Sequence, residues 1–366
     1  MPLKWKKVWI ADETFESVGV FDVNNDGVLD IVSGAFWYQG PDFRRKHTIG
    51  TVKMYDEYFD DFSTIALDIN GDGYLDFITG GWWGKTLRWR ENPKGDPKQQ
   101  WTEHIIAEVG NIETTRAWDI DGDGQIEIVP NTPPCREVKV FKLVAPGKFD
   151  CHTIYTFPEG QMQGHGIGCG DVAGNGRQDI VLARGWLEAP ANPWRDQWIW
   201  HADFMDAPWA TGASWGFPAS VPMLVADVNG DGRNEIITGN AHGYGLWWSE
   251  RRGTGWAHHP IDPYNAQYHD LQWADIDGDG QCELITGKRH RAHCGNDVGE
   301  WDDVGLYYFK WTGEGFAKQV IDYGPIGTGK GCGIAFALAD LRGTGRLDFV
   351  APGKDGLSVY FNEGSA

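Results

Sequence analysis

The chain has 366 residues, with 52 Asp and Glu against 32 Lys and Arg, and a formal net charge of −20. That acidity argues against a nucleic-acid partner, because a phosphate-binding face needs a basic patch. No apolar run is long enough to span a membrane as a helix, so no membrane span is expected either. The opening residues Met1 to Ile10 read as the start of a strand rather than a secretory signal. The chain as it stands is therefore expected in the cytoplasm, or secreted if a signal peptide has been removed. Six cysteines without a CxxC pair fit neither a zinc ribbon nor a disulfide scaffold, and are expected as free, mostly buried thiols.

One phrase recurs along the chain: an apolar strand, a tight acidic turn, then a second apolar strand. Its clearest copy is Trp273 to Gly287, in which Asp275, Asp277, Asp279 and Glu283 take the 1-3-5-9 spacing of a Ca²⁺ loop. Gly278 and Gly280 let that backbone wrap tightly enough to bring the oxygens together. Copies begin at Asp22, Asp68, Asp119, Asp171, Asp227, Asp275 and Asp340, at spacings of 46 to 65 residues. Each interval holds about four short strands, the period of a propeller blade.

In chain order, strand A is the apolar run before each turn, as in Val18–Phe21, Ile65–Leu67 and Pro222–Ala226. Strand B follows the turn: Leu29–Ser33, Leu75–Thr79, Ile126–Val129, Ile180–Leu182, Glu235–Thr238, Glu283–Thr286 and Leu347–Val350. Strand C is aromatic, and strand D carries His47, His104, His152 and His259, with a looser match at His201. The last blade has A, B and C (Ile334–Ala339, Leu347–Val350, Leu357–Phe361), and its D strand is supplied by Trp5–Ile10. The expected fold is all-β: a single seven-bladed β-propeller over residues 1–366, closed when strand 5–10 joins the C-terminal blade at 334–363. Closure removes the edges that an open array would expose.

The repeated Asp-x-Asp/Asn-x-Asp-Gly-x-x-Asp/Glu turn resembles the FG-GAP (VCBS-type) repeat, also seen in integrin α propellers. The resemblance implies structural Ca²⁺, up to five ions, in the intact turns. Its ligands would be Asp22, Asn24, Asp26 and Asp30; Asp68, Asn70, Asp72 and Asp76; and Asp119, Asp121, Asp123 and Glu127. The remaining two sets are Asp227, Asn229, Asp231 and Glu235, and Asp275, Asp277, Asp279 and Glu283. Blades 4 and 7 depart from the pattern, with Ala173, Asn175, Arg342 and Thr344 in place of oxygen ligands, and are expected to hold no metal.

In a four-stranded meander the A–B turns share one face, so the residues before strand A and after strand B build the opposite one. A residue type repeated in every blade is architecture, whereas one found in a single blade is a candidate for chemistry. This removes the D-strand histidines, read as hydrogen-bonded packing groups. Six residues before each turn Asp stand Glu16, Phe62, Glu113, His165, Val221, His269 and Ile334, which ring the channel mouth. Imidazoles and carboxylates converging there could hold a catalytic divalent metal or act as acid and base. After strand B come Arg184, His242, Lys288, Arg289, His290 and His293, and blade 3 adds Arg116. Together they form a cationic arc suited to a carboxylate or enediolate-like oxyanion.

Aromatics stand beside the arc: Trp82 and Trp83 after strand B of blade 2, and six tryptophans from Trp186 to Trp215 in a blade 4 insertion. Trp82, Trp83 and Trp186 are the candidates for stacking on sugar faces, with the rest assigned to packing. No Gly-x-Ser-x-Gly elbow, P-loop or dinucleotide fingerprint occurs. A glycosidase pair drawn from Glu16, Asp60, Asp61 and Glu113 cannot be judged from spacing alone.

The function expected is a carbohydrate-active carbon–oxygen lyase or dehydratase, removing a proton next to a carbonyl or carboxylate and eliminating a β-substituent. His165 or His269 would be base or metal ligand, and His242 the acid. Arg116, Arg184, Lys288 and His290 would neutralise the intermediate. Trp82, Trp83, Trp186, Glu113, Asp61, Arg289 and His293 would bind the substrate, expected to be an anionic sugar or keto-sugar. The arrangement is similar to propeller polysaccharide lyases and to the propeller domain of aldos-2-ulose dehydratase. The alternatives are a carbohydrate-binding, lectin-like propeller without chemistry, or an adhesion platform with an exposed apolar patch.

Overall fold

Each acidic turn folds itself. In six of the seven turns the first Asp accepts backbone N–H groups four and five residues on, as Asp22 does from Asp26 (3.1 Å) and Gly27 (2.7 Å), whereas Asp119 accepts only from Gly124 among the described residues. The last acid reaches back to the N–H that follows the first Asp: Asp30 to Val23, Glu127 to Ile120 and Glu283 to Ile276. Blades 4 and 7 make the same bonds through Asp171 and Asp340 although their inner ligands are missing. The turn geometry is therefore set by backbone–carboxylate hydrogen bonds, with any cation additional to them. Gly278 and Gly280 sit at φ 76° and 88°, where a side chain would be strained.

The computed structural model describes residues 2–204, 206–208 and 218–365. Among these, seven four-stranded antiparallel sheets follow one another in chain order, and the last is completed from the N-terminus. There Leu3–Ala11 pairs with Leu357–Ser365, in a register that sets Lys6 opposite Phe361 and Val8 opposite Val359. The closed seven-bladed ring is the architecture expected from the repeats. Strand B, buried on both faces, is apolar in every blade; Asp76–Thr79 and Glu235–Gly239 are buried throughout. Neighbouring blades share their cores: Phe21, Val32 and Trp37 of blade 1 pack with Phe77 and Trp101 of blade 2.

The D-strand histidines are architectural, as their repetition implied. His47, His104, His201 and His259 pack on Trp37, Trp89, Trp186 and Trp248, with ring centroids 4.1 to 4.5 Å apart. They also bond Gln39, Glu91, Glu188 and Glu250 at the end of strand C. In blades 3 and 6 that strand C position is lysine. Lys142 Nζ donates to Asp121 (2.7 Å), Asp123 (2.8 Å) and Glu127 (2.7 Å). Lys310 Nζ bonds Asp277 and Asp279 and lies 3.4 Å from Glu283. Two of the five intact turns thus carry an ammonium among the oxygens expected to ligate calcium.

Other sequence readings change. The segment from Gly185, read as an insertion, supplies strands C and D of blade 4 (Gly185–Glu188 and Ile199–His201). Trp194, Trp198 and Trp200 pack in that blade's core; Trp209 and Trp215 lie outside the described residues. All six cysteines are free, but only Cys332 is fully buried and Cys151 is exposed, so they are not the mostly buried set expected. No helix is long and apolar enough to cross a membrane among the described residues.

Candidate functional site

The residues six before each turn Asp meet where strand A enters the sheet, so the ring symmetry brings them to one mouth. Phe62, Glu113 and His165 line a cavity of about 560 Å³ there, on the face away from the acidic turns. Loops after strand B add Trp82, Trp83, Pro133, Pro134, His242, Arg289 and His293, while Tyr58, Asn111, Met162 and Pro218 complete the wall. One side is aromatic: Trp83 stacks on Tyr55 at 5.3 Å and packs against Tyr58 at 4.8 Å. The other side is ionisable. An amphipathic cavity of this size, with few polar groups on one wall, is the usual form of a small-molecule site.

Glu113 is the centre of the ionisable wall. His165 Nε2 lies 3.1 Å from its Oε1, and His269 Nε2–H approaches the same oxygen at 3.4 Å. Burial alone would raise the Glu113 carboxyl, but His165 and His269 outweigh it and hold it well below the usual range. His165 Nδ1 lies 2.7 Å from the Ala219 carbonyl, which can only accept, so Nδ1 carries a proton. His242 Nδ1 likewise donates to Asp297 Oδ2 at 2.8 Å. Each ring therefore turns its Nε2 inward, and both atoms are buried without a hydrogen-bond partner among the described residues. The 3.1 Å approach of His165 to Glu113 is close in distance yet off hydrogen-bond geometry. Burial pushes the His242 imidazole down to about 3 despite Asp297.

His293 stacks on His242 at 4.1 Å with rings 5° from parallel, and its Nδ1 donates to the other Asp297 oxygen at 2.9 Å. Burial works against the Asp297 charge, but the two imidazoles hold its carboxyl well below the ordinary range. His293 keeps 34% of its side chain exposed, so its second nitrogen is open to the cavity. Arg289 lines the same wall from a buried position, donating from Nε (2.9 Å) and Nη2 (3.2 Å) to Glu16.

Of the residues singled out in the sequence, the structure gathers Glu113, His165, His242, His293, Arg289, Trp82 and Trp83 at the cavity, with His269 fully buried behind Glu113. It does not bring the whole cationic arc there. Arg116 is paired with Asp270 at 2.7 Å and also bonds the Val221 carbonyl. Lys288 is buried and bonds the Gly299 and Glu300 carbonyls and Gln267. His290 is buried beside Gly331, away from the lining. Arg184 stands half-buried on blade 4, where its carbonyl accepts from Phe204. Asp61 is buried against Thr79, and Trp186 is buried under His201 with its Nε1 donating to Asp203.

Sequence reasoning missed Tyr58 and Asp297. Tyr58 comes from a hairpin, Met54–Tyr55 with Tyr58–Phe59, between blades 1 and 2. It crosses the mouth to donate to the Ala292 carbonyl at 2.9 Å. Asp297 sits in the long B–C loop of blade 6, for which the 65-residue interval was the available signal.

A profile for FG-GAP-like repeats matches residues 68–129 and 227–286. A search of curated proteins by sequence finds no match. Among solved structures, a lectin of Agrocybe aegerita that recognises non-reducing terminal N-acetylglucosamine is similar at 15% identity and a TM-score of 0.50. That match covers 96% of this chain and 91% of the lectin. The BBS1N chain, crystallised in complex with ARL6DN, is similar at 10% identity and a TM-score of 0.54, covering 99% and 98%. At such identities the likeness is one of fold. The chain is a seven-bladed β-propeller that carries FG-GAP-like repeats.

Proposed function

We propose that the cavity binds a saccharide and acts on it as a carbon–oxygen lyase or dehydratase. The observation that carries this reading is the pairing of an aromatic wall (Tyr58, Trp82, Trp83) with imidazoles whose Nδ1 atoms are bonded away, leaving Nε2 for the cavity. A sugar ring offers a C–H face to the first and hydroxyl or carbonyl oxygens to the second. In the step proposed, His293, oriented by Asp297, takes the proton from carbon next to a carbonyl or carboxylate. The freed electron pair forms the C=C bond as the β C–O bond breaks, and the leaving oxygen takes the abstracted proton back from His293. Arg289 and Asn111 stand at the same wall where the enolate oxygen would develop charge. An anionic or keto-sugar remains the substrate class of choice for that reason.

Binding without chemistry is the second reading, and the lectin among the similar folds favours it. The test is turnover of uronic-acid oligosaccharides and keto-sugars, followed through absorbance of the new conjugated double bond. Loss of turnover in His293→Ala, with melting temperature and saccharide binding retained, supports elimination. Binding with no turnover on any substrate supports the lectin-like reading. The structural calcium proposed for the acidic turns is confined, on this account, to blades 1, 2 and 5, because Lys142 and Lys310 already neutralise the other two.

A further inference from the structure

We infer that Glu113, His165 and His242 form a binding site for one divalent transition-metal ion of the zinc class at the channel mouth. This site shares the cavity of the proposed function and is independent of its chemistry. The Ala219 carbonyl and the Asp297 carboxylate can only accept, so His165 and His242 are both protonated on Nδ1. The Nε2 atom of each ring is then left turned toward the buried space before Glu113, and neither nitrogen has a hydrogen-bond partner among the described residues. The His165 Nε2 stands 3.1 Å from a Glu113 oxygen without hydrogen-bond geometry. A cation shared by the two groups would fill that gap by ligation.

The spacing suits an ion. One ligand atom from each of Glu113, His165 and His242 lies within 4.8 Å of the other two. Ligands about 2.1 Å from a tetrahedral ion stand about 3.4 Å apart, against 3.1 Å for the His165–Glu113 contact. The donor set of two imidazoles and one carboxylate is that of a catalytic zinc site, leaving a fourth position open. Carbonyl and carboxylate partners on the far ring nitrogens are the outer groups that orient metal-binding histidines. Imidazole donors select zinc-class ions over calcium, which asks for an all-oxygen shell. The neighbouring cluster of His242, His293 and Asp297 is a poorer site, since both imidazole Nδ1 protons already fill the space before Asp297. His269, which donates to Glu113 through Nε2, supports the carboxylate from behind.

The test is metal content of the full-length protein after incubation with zinc and removal of unbound ion, with cobalt(II) as a spectroscopic substitute. About one zinc per chain is expected, and cobalt should give the intense visible bands of a four-coordinate nitrogen–oxygen site. His242→Ala and Glu113→Gln should each lose the ion at least tenfold, with unchanged circular dichroism. Asp227→Asn, in an acidic turn, should retain it. Should either ligand variant lose its fold, the cobalt bands of the unmodified protein decide alone. Less than a tenth of an equivalent after zinc loading, or cobalt bands of a six-coordinate oxygen site, would overturn the assignment.

Discussion

Arg289 offers a sharp test of how charge is arranged at the mouth. Its guanidinium is 2% exposed and makes two bonds to Glu16, itself 3% exposed. Arg289→Met removes both bonds and leaves the Glu16 carboxylate with Lys354 Nζ, 3.8 Å away, as its remaining ion pair. Breaking a buried pair from one side costs about 3–5 kcal/mol, and the residual Lys354 contact points to the lower end, about 3 kcal/mol. At about 2.1 cal/mol/K per residue, the 366-residue chain unfolds with an entropy of about 0.8 kcal/mol/K, so the melting temperature should fall by about 4 °C. Glu16→Gln combined with Arg289→Met should recover most of that loss, because no buried charge is then left alone. Scanning calorimetry of the wild type, both single variants and the double variant measures the effect. An Arg289→Met protein that melts within about 1 °C of wild type would refute the reasoning, and would mean that the guanidinium is held for a ligand instead of for Glu16.

Three further outcomes are expected. Lys310→Met should melt lower in chelator and recover when calcium is added, because removing the ammonium leaves Asp277, Asp279 and Glu283 needing a cation; equal melting in both conditions would count against the ammonium's role. Trp83→Ala should weaken saccharide binding about tenfold by calorimetry, and unchanged affinity would remove the aromatic wall from the account. Asp355 is buried, which alone would raise its carboxyl, yet Lys330 outweighs burial and holds it below the ordinary range. A depressed carboxylate contributes stability above its unfolded pKa and loses it as pH falls through its folded pKa. Denaturant melts should therefore show wild-type stability dropping below about pH 4, with a shallower drop in Asp355→Asn; identical acid limbs would contradict that assignment.

The propeller was legible because its signature is local. Each acidic turn closes through bonds from its own first and ninth residues, such as Asp275 to Gly280 and Glu283 to Ile276. The pairing of Leu3–Ala11 with Leu357–Ser365 followed from counting strands. Glu113, His165 and His269 were legible as a group because equivalent positions in a ring must converge. The cationic arc was misjudged for a physical reason. Arg116 and Arg289 find their carboxylates, Asp270 and Glu16, on other blades, and no spacing along the chain reveals such a partner. Tyr58 and Asp297 stayed hidden because each lies in a segment with no counterpart in the other blades. The same holds for Trp186, whose place under His201 depends on strand pairing rather than on sequence distance.

If one amphipathic cavity, with imidazoles open to it, eliminates across a sugar C–O bond, a new conjugated double bond must form. Its most direct measurement is continuous absorbance at the wavelength of a conjugated double bond, with the unmodified protein and a panel of uronic-acid oligosaccharides and keto-sugars. Steady turnover is expected on at least one of them, lost in His293→Ala while saccharide binding and melting temperature persist. Saccharide binding with flat absorbance across the whole panel, or turnover that survives His293→Ala, would contradict that expectation.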